Sequence, residues 1–552
     1  MVGTIVFVPW GPHCEVARGP DGAEVRAFAV APSAQRRGVG AALVRAVVEQ
    51  AEGEGVSRLV LCTRTVMTGA QRLYEAHGFV RLPERDWEPV PGVDLLAYGL
   101  VLKARECLAK ADADLNALTR PPFEPGLSHD PAGPLAGVPF VVKDSGPVAK
   151  GVPFSLGSRA LRGAVAAADQ DVMARFRAAG LVALGQSTAP ELGLSFATES
   201  LAHGTTRNPW DPARGVGGSS GGAAALVAAG AVPFAHGNDG GGSIRVPASA
   251  CGVVGLKPSR GRVPCGPLVG EAAFGLVCEF GLTRTVRDAA LLLDLVGAPP
   301  VGEKHVAPPP PGGSHTAALR TDPGRLRIAV STRPWAPTEV DPQVAEAARD
   351  AGRVLEWIGH TVTEDAPALT AEDVVEASVL AVVSTVAALS EGPYPADPAR
   401  MEAVPARLLT EARGYGALDV MACLQAQHRV TRSVGRFFQE HSSQRHCFQG
   451  YDLLLTPTAA GLPVPHGTLD HGADHTVRSW LRRIYAHGPF TAPFNVSGNP
   501  AVSLPLAQSR EGLPIGVQLV AAHGREDLLL AVAAQLEEAV PWRDRRPPMS
   551  VG

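Results

Sequence analysis

Apolar and polar positions along this chain switch repeatedly between a period of two and a period near 3.6, and the switches delimit elements. Ala23–Val30 (AEVRAFAV) reads as a strand, followed by a helix from about Ala41 to Glu54. The strand Arg58–Cys62, the helix Gly69–His77 and a strand near Leu95–Leu102 come next. Leu102–Leu118 has the Lys/Ala/Leu spacing of a helix. GVPFVV is a buried strand running into Lys143, and Asp171–Gly180 is a helix with a glycine stop before the strand LVALGQ. Ala223–Ala229 is a helix of small residues, and Thr285–Val296 is a helix with Arg287 and Asp288 in its first turn. Val374–Leu389 contains Glu376, Ser384 and Thr385 and reads as a packed helix. A last helix ending near Trp542 completes the pattern. Strands alternating with helices predict α/β architecture.

Composition narrows the class. At 552 residues the chain predicts more than one domain, and 45% hydrophobic against 19% charged residues predicts a large core. The net charge of −4 gives no general attraction to nucleic acid or to a membrane surface. The longest apolar stretch, Ala223–Ala235, is far shorter than the roughly 20 residues that span a bilayer. The opening MVGTIVFVPWG lacks a basic n-region and is broken at Pro9, so no targeting segment is expected. Eight cysteines without a CxxC pair suit a reducing cytosol, and a cytoplasmic location is expected. Cys251 reads as a small core residue. Residues 298–315, with four consecutive prolines, read as a surface loop or linker.

The chemistry concentrates between Gly217 and Pro247. GGSSGG (217–222) is followed by an apolar Ala-rich run and then by GNDGGGSIRVP. Gly240, Gly241 and Gly242 stand directly before Ser243. Glycine permits unusual backbone angles and close approach to a substrate. Successive N–H groups in such a loop converge on one point and hold a developing oxyanion. A flexible linker would not place an ordered apolar segment between two glycine clusters, with Asp239, Ser243 and Arg245 around the second. A serine nucleophile needs a base, and no GxSxG elbow surrounds Ser243.

GGSSGG, GNDGGGSIRVPAS (237–249), CGVVGLKPSRGRVP (251–264) and PLAGVPFVVKD (134–144) resemble the amidase signature family. The resemblance implies a large central mixed β-sheet flanked by helices. It also implies that Ser243 is the nucleophile, Ser219 a bridging serine held by a cis peptide bond, and Lys143 the base. Backbone N–H groups of Gly240, Gly241, Gly242 and Ser243 would form the oxyanion hole. Ser220, Asp239 and Arg245 would support the loop. No cofactor or metal is implied. The resemblance weakens from the 298–315 loop to about Gln449, a region that caps the substrate channel in the family. GLKPSRGRVPCGP and PFNVSGNPAVSLPL are similar to the branch containing 6-aminohexanoate cyclic dimer (nylon-oligomer) hydrolases.

Residues 1–101 do not look like part of an amidase. Gln35-Arg36-Arg37-Gly38-Val39-Gly40 is a glycine turn opening a helix, where backbone N–H groups could hold a pyrophosphate. With RLYEAHGF (72–79) it resembles the GCN5-related acetyltransferase (GNAT) family. That resemblance implies a coenzyme A or acetyl-CoA site at Gln35–Gly40 and a thiolate-protonating role for Tyr74. It covers the C-terminal part of that fold only, and the first strand and helices that build the acceptor site are expected to be absent. The expected organisation is therefore a small partial GNAT-like α+β domain, 1–101, and an amidase domain, 102–552.

His466, Asp470, His471, Asp474 and His475 fall in one polar loop. Their spacing fits no metal motif, so a solvated loop is expected. Hydrolysis of a small-molecule amide is the leading expectation. An amidotransferase-type glutaminase subunit and an N-acetyltransferase are the alternatives. Neither a nucleic acid nor a membrane is an expected partner, and homo-oligomers are left open.

Overall fold

The computed structural model describes the chain except residues 1, 12–13, 18–21, 55, 57, 78, 83–84, 162, 268–269, 272, 299–301, 392–394, 439–449, 470, 473 and 552. Among the described residues no helix is long and apolar enough to cross a membrane.

The first hundred residues build one five-stranded sheet. Its strands are β1 (Gly3–Pro9), β2 (Gly22–Val30), β3 (Arg58–Arg64), β4 (Val80–Arg81) and β5 (Leu95–Val101), in spatial order β1-β2-β3-β5-β4. β1 was not expected from the pattern, because Pro9 interrupts its apolar run. Here β1 is an edge strand and Pro9 is its last residue, where a missing N–H removes no interior ladder bond. β2 and β3 are parallel and pair only from Gly22–Val25 to Arg58–Leu61. The following Ala27 has φ +48°, an irregularity at the point where pairing stops. Helices Val39–Gly53 and Thr68–Ala76 match the predicted positions within two residues.

The rest of the chain builds a ten-stranded mixed sheet. Its strands are β6 (Pro139–Lys143), β7 (Val182–Ser187), β10 (Phe234–Asp239), β11 (Val254–Lys257), β12 (Cys278–Thr283), β13 (Arg327–Val330), β14 (Thr361–Glu364), β15 (Leu453–Pro457), β16 (Ala501–Gln508) and β17 (Pro514–Ala521). A separate hairpin pairs β8 (Glu199–Ser200) with β9 (Gly204–Thr205). The large sheet runs β14-β13-β15-β17-β16-β11-β12-β10-β6-β7, so strands from the far C-terminus occupy its middle.

Both faces of this sheet are covered, which is why its strands read as continuous apolar runs. In β15, Leu453 and Leu455 join one core and Leu454 joins the other. Helices Asp171–Ala178, Gly221–Ala228, Val286–Val296, Pro342–Trp357 and Glu526–Ala539 contribute to the first core. Helices Ala371–Glu391, Ala403–Ala412, Ala417–Phe438 and Val477–His487 contribute to the second. The described helices between Pro342 and Phe438 are thus divided between the two faces. Local signals set the helix starts: Thr285 Oγ1 accepts from Asp288 N–H, and Asp341 accepts from Gln343 N–H with Pro342 in the first turn.

β10 and β12 pack too closely to admit a side chain at Gly281, whose Cβ would overlap the Ala235 carbonyl and the Phe234 ring. Gly281→Ala is expected to lower stability by about 1–3 kcal/mol through overpacking. Urea unfolding followed by tryptophan fluorescence checks this, and an unchanged midpoint would show that the sheet relaxes freely there.

Candidate active site

β6 and β10 are parallel neighbours, with Phe140 opposite Phe234 and Val141 opposite Ala235. Their C-terminal ends therefore emerge on the same edge, the usual place for chemistry in an α/β sheet. β6 delivers Lys143 there, and β10 delivers Asn238, Asp239 and the loop that follows. A cis peptide joins Gly218 to Ser219, immediately before the fully buried helix Gly221–Ala228.

Lys143 is 1% exposed, and its Nζ lies 2.8 Å from Ser219 Oγ and 2.6 Å from Asn238 Oδ1. Among the described residues no carboxylate touches the amine directly. Burial pushes its ammonium down to about 7, against the opposing pull of Glu279, Asp239 and Asp144. Asp144 turns the other way and accepts from Ser155 Oγ and from the N–H groups of Ser155, Leu156 and Gly157.

The glycine loop is held from behind by Asp239 and Arg245, both 0% exposed. Asp239 accepts from Arg245 Nε at 2.9 Å and Nη2 at 2.8 Å, from Ile244 N–H at 3.1 Å and from Asn495 Nδ2 at 2.9 Å. Burial works against that carboxylate, yet the Arg245 charge and these donors hold it well below the usual range. Arg245 also donates to Thr491 O, Gln518 Oε1 and Asn495 Oδ1. Thr491 Oγ1 donates to the Gly241 carbonyl at 2.6 Å. Gly242 has φ +143°, and a Cβ there would meet Thr491 Oγ1 at 2.5 Å, so only glycine fits. Ser220 N–H donates to the Ser243 carbonyl at 3.1 Å, tying the two serine segments together.

With the carbonyls so engaged, the N–H groups of Gly240, Gly241, Gly242 and Ser243 donate to no described group. Ser243 is 7% exposed. The expected link from Ser219 to Ser243 is not made: among the described residues no hydrogen bond joins their hydroxyls. Ser219 Oγ is instead committed to Lys143. Such links often close only around bound substrate.

Several groups here escaped the sequence reading: Asn238, Glu279, His236, Thr491, Asn495 and Gln518. Asn238 was within reach of it, since strand alternation places Asn238 and Asp239 on opposite faces, one toward Lys143 and one toward Arg245. The other expected positions lie apart from this site. Gln35 to Gly40 form the turn into helix Val39–Gly53, and no described group accepts from the N–H groups of Arg36 to Gly40. Tyr74 is buried against Phe28, Phe79 and Tyr98, and burial pushes its hydroxyl up to about 12. Cys251 is fully buried in the first core, and burial pushes its thiol up. In the His-rich loop, His466 pairs with Glu199, His471 with Glu402, and Asp474 lies 3.5 Å from Arg407, while Asp470 falls outside the described residues.

This sheet and the amide-hydrolysing relatives it matches define a hydrolase of carbon–nitrogen amide bonds. The chain belongs to the amidase signature family, whose Amidase profile matches residues 124–530. It is 38% identical over 458 residues to the 6-aminohexanoate-cyclic-dimer hydrolase of Pseudomonas sp. (strain NK87), covering 79% of this chain and 90% of that protein. A solved structure of 6-aminohexanoate cyclic dimer hydrolase superposes with a TM-score of 0.72 at 35% identity, covering 81% of this chain and 94% of that one. A bacterial aryl acylamidase of the same family superposes with a TM-score of 0.65 at 26% identity, covering 80% and 93%. Residues 1–79 match the Acetyltransferase (GNAT) family.

Arg245→Lys keeps a charge but cannot supply the five donors of a guanidinium. It is expected to cost about 1–3 kcal/mol or more, because one ammonium cannot serve Asp239, Thr491 O, Gln518 and Asn495 together and leaves buried acceptors unsatisfied. Urea unfolding paired with an anilide hydrolysis assay checks this. A variant with full stability and turnover would show that the glycine loop stands without the brace.

Proposed function

We propose that the chain hydrolyses a small-molecule carboxylic amide, linear or cyclic, through a covalent acyl-enzyme on Ser243. The observation that carries this reading is a buried Lys143 amine 2.8 Å from Ser219 Oγ, beside a loop of unengaged N–H groups ending at Ser243. In its free-amine form Lys143 takes the Ser219 proton, and Ser219 takes that of Ser243. Ser243 Oγ attacks the carbonyl carbon, and the oxygen becomes an anion held by N–H groups from Gly240 to Ser243. Each such donor contributes about 3–4 kcal/mol to the transition state. Collapse breaks the C–N bond while the proton returns through Ser219 to the leaving nitrogen. Water then attacks the ester by the same relay in reverse. Asp239 and Arg245 hold the loop, with Ser220 joining it to the Ser219 segment.

Ser243→Ala is expected to abolish hydrolysis and fluorophosphonate labelling while leaving the unfolding midpoint in place. Undiminished turnover in that variant would sink the assignment. The active Lys143 is the neutral one, so single-turnover acylation of an activated anilide should rise with pH through about 7 and stay high in alkali. Lys143→Ala and Lys143→Arg should both lose most acylation, because a guanidinium does not deprotonate in proteins. Wild-type acylation by the Arg variant would make Lys143 a structural cation only.

We also propose that residues 1–101 form a unit distinct from the amidase part, 102–552, and bind coenzyme A at the Gln35–Gly40 turn. The parting of β2 from β3 after Val25 and the unengaged N–H groups of Arg36 to Gly40 support this. Tyr74 would be the acid if acetyl transfer occurs there. Calorimetric titration of coenzyme A into the full chain should give saturable binding, weakened at least about tenfold, or 1.4 kcal/mol, by Arg37→Glu. Absence of binding by the wild-type chain would remove this second role, and amide hydrolysis should be the same in both proteins.

A further inference from the structure

Lys143 is enclosed by a ring of hydrogen bonds that the relay itself does not use. Its backbone N–H donates to His236 Nδ1 at 3.3 Å. That contact leaves the imidazole proton on Nε2, which lies 2.9 Å from Glu279 Oε2. The other Glu279 oxygen accepts from Asn238 Nδ2 at 3.4 Å. Asn238 then turns its Oδ1 to Lys143 Nζ at 2.6 Å, closing the ring. β10 provides His236 and Asn238, and β12 provides Glu279 directly opposite Asn238.

The ring has a direction. An amide side chain facing a carboxylate must present its NH2 group to it, so Glu279 dictates which way Asn238 points. The amide oxygen consequently faces the amine. His236 and Glu279 are 0% and 3% exposed at their side chains, so water does not substitute for either partner. The other charges near the amine are already committed. Asp239 is occupied by Arg245 and Asn495, and Asp144 by the N–H groups of the 155–157 turn and by His203 at 3.5 Å. Glu279, which pairs with His236, is in ion-pair contact with no arginine or lysine among the described residues. Its charge is the first of the pulls that oppose the effect of burial on Lys143.

We propose that Glu279, oriented by His236 and acting through Asn238, is a positioning residue that sets the proton affinity and aim of Lys143. The inference rests on the reading of Lys143 as the base. A base in an apolar pocket with no opposing charge binds its proton too weakly to draw one from a serine. A carboxylate in direct contact would hold the ammonium and block the free amine. One amide of separation gives an intermediate affinity, and the same amide fixes Nζ against Ser219 Oγ.

The test is the acid limb of the pH profile for single-turnover acylation of an activated anilide. Removing the carboxylate disfavours the ammonium, so Glu279→Gln should move that limb to lower pH by about one unit, the lower end of what one nearby opposite charge does. Glu279→Asp, which keeps the charge, should return the limb toward wild type. Asn238→Ala removes the acceptor of the ammonium and should move the limb in the same direction, and it carries the test if Glu279→Gln does not fold. An unmoved limb in a folded variant, or one moved to higher pH, overturns the proposal. Lys143→Ala separates the two readings. If it acylates like wild type, the base assignment itself falls. If it is inactive while the limb of Glu279→Gln stays in place, only the role of Glu279 falls.

Discussion

The contact between Asp239 and Arg245, both withdrawn from water, is the constraint on which the rest of the site depends. A buried ion pair seldom adds net stability, because the cost of desolvation offsets the attraction. What it supplies here is orientation. The carboxylate takes the Ile244 N–H and the guanidinium reaches Thr491 O, Gln518 and Asn495, so helix Arg245–Cys251 is locked to the far end of the chain. With the chain on either side of the glycines anchored, their N–H groups are left without an acceptor among the described residues. Free donors in a folded protein are unusual, since nearly all buried ones find a partner. Their freedom is a product of the rigidity behind them.

The opposite physics governs Lys143. Its surroundings are arranged to make a charge uncomfortable, and burial dominates over three carboxylates in the neighbourhood. The two strategies share one strand. Alternation along β10 sends Asn238 toward the amine and Asp239 toward the guanidinium. A one-residue shift in the β10 register would exchange them and destroy both environments.

The glycine clusters around Ser219 and Ser243 single those serines out as unlike a linker, whereas Lys143 closes an apolar strand and its expected role comes from the resemblance alone. The helices were legible for a related reason: their caps and periods are local. Thr491, Asn495 and Gln518 were not legible, because Thr, Asn and Gln are common surface residues and nothing nearby in the chain marks them as buried. Their role exists only once the C-terminal strands lie beside β11. β1 was missed because a proline ordinarily ends a strand reading, and only the sheet order reveals that it occupies an edge. Val374–Leu389 reads as a packed helix, but which face of the sheet it and the helices after it cover is a property of packing that no period encodes.

The strand order has a consequence for how this protein is made. Arg245 finds its acceptors 246, 250 and 273 residues further along, in the segment that supplies β16 and β17 at the middle of the large sheet. A ribosome adds about 5–20 residues per second, so those partners emerge roughly ten to fifty seconds after Arg245 does. Throughout that interval the large sheet lacks β16 and β17, which join its two halves. The five-stranded sheet, by contrast, takes all of its strands from residues 3–101. A message broken between the codons for Ser243 and Gln518 therefore yields a protein that contains Lys143, Ser219 and Ser243 without the Gln518 acceptor of Arg245.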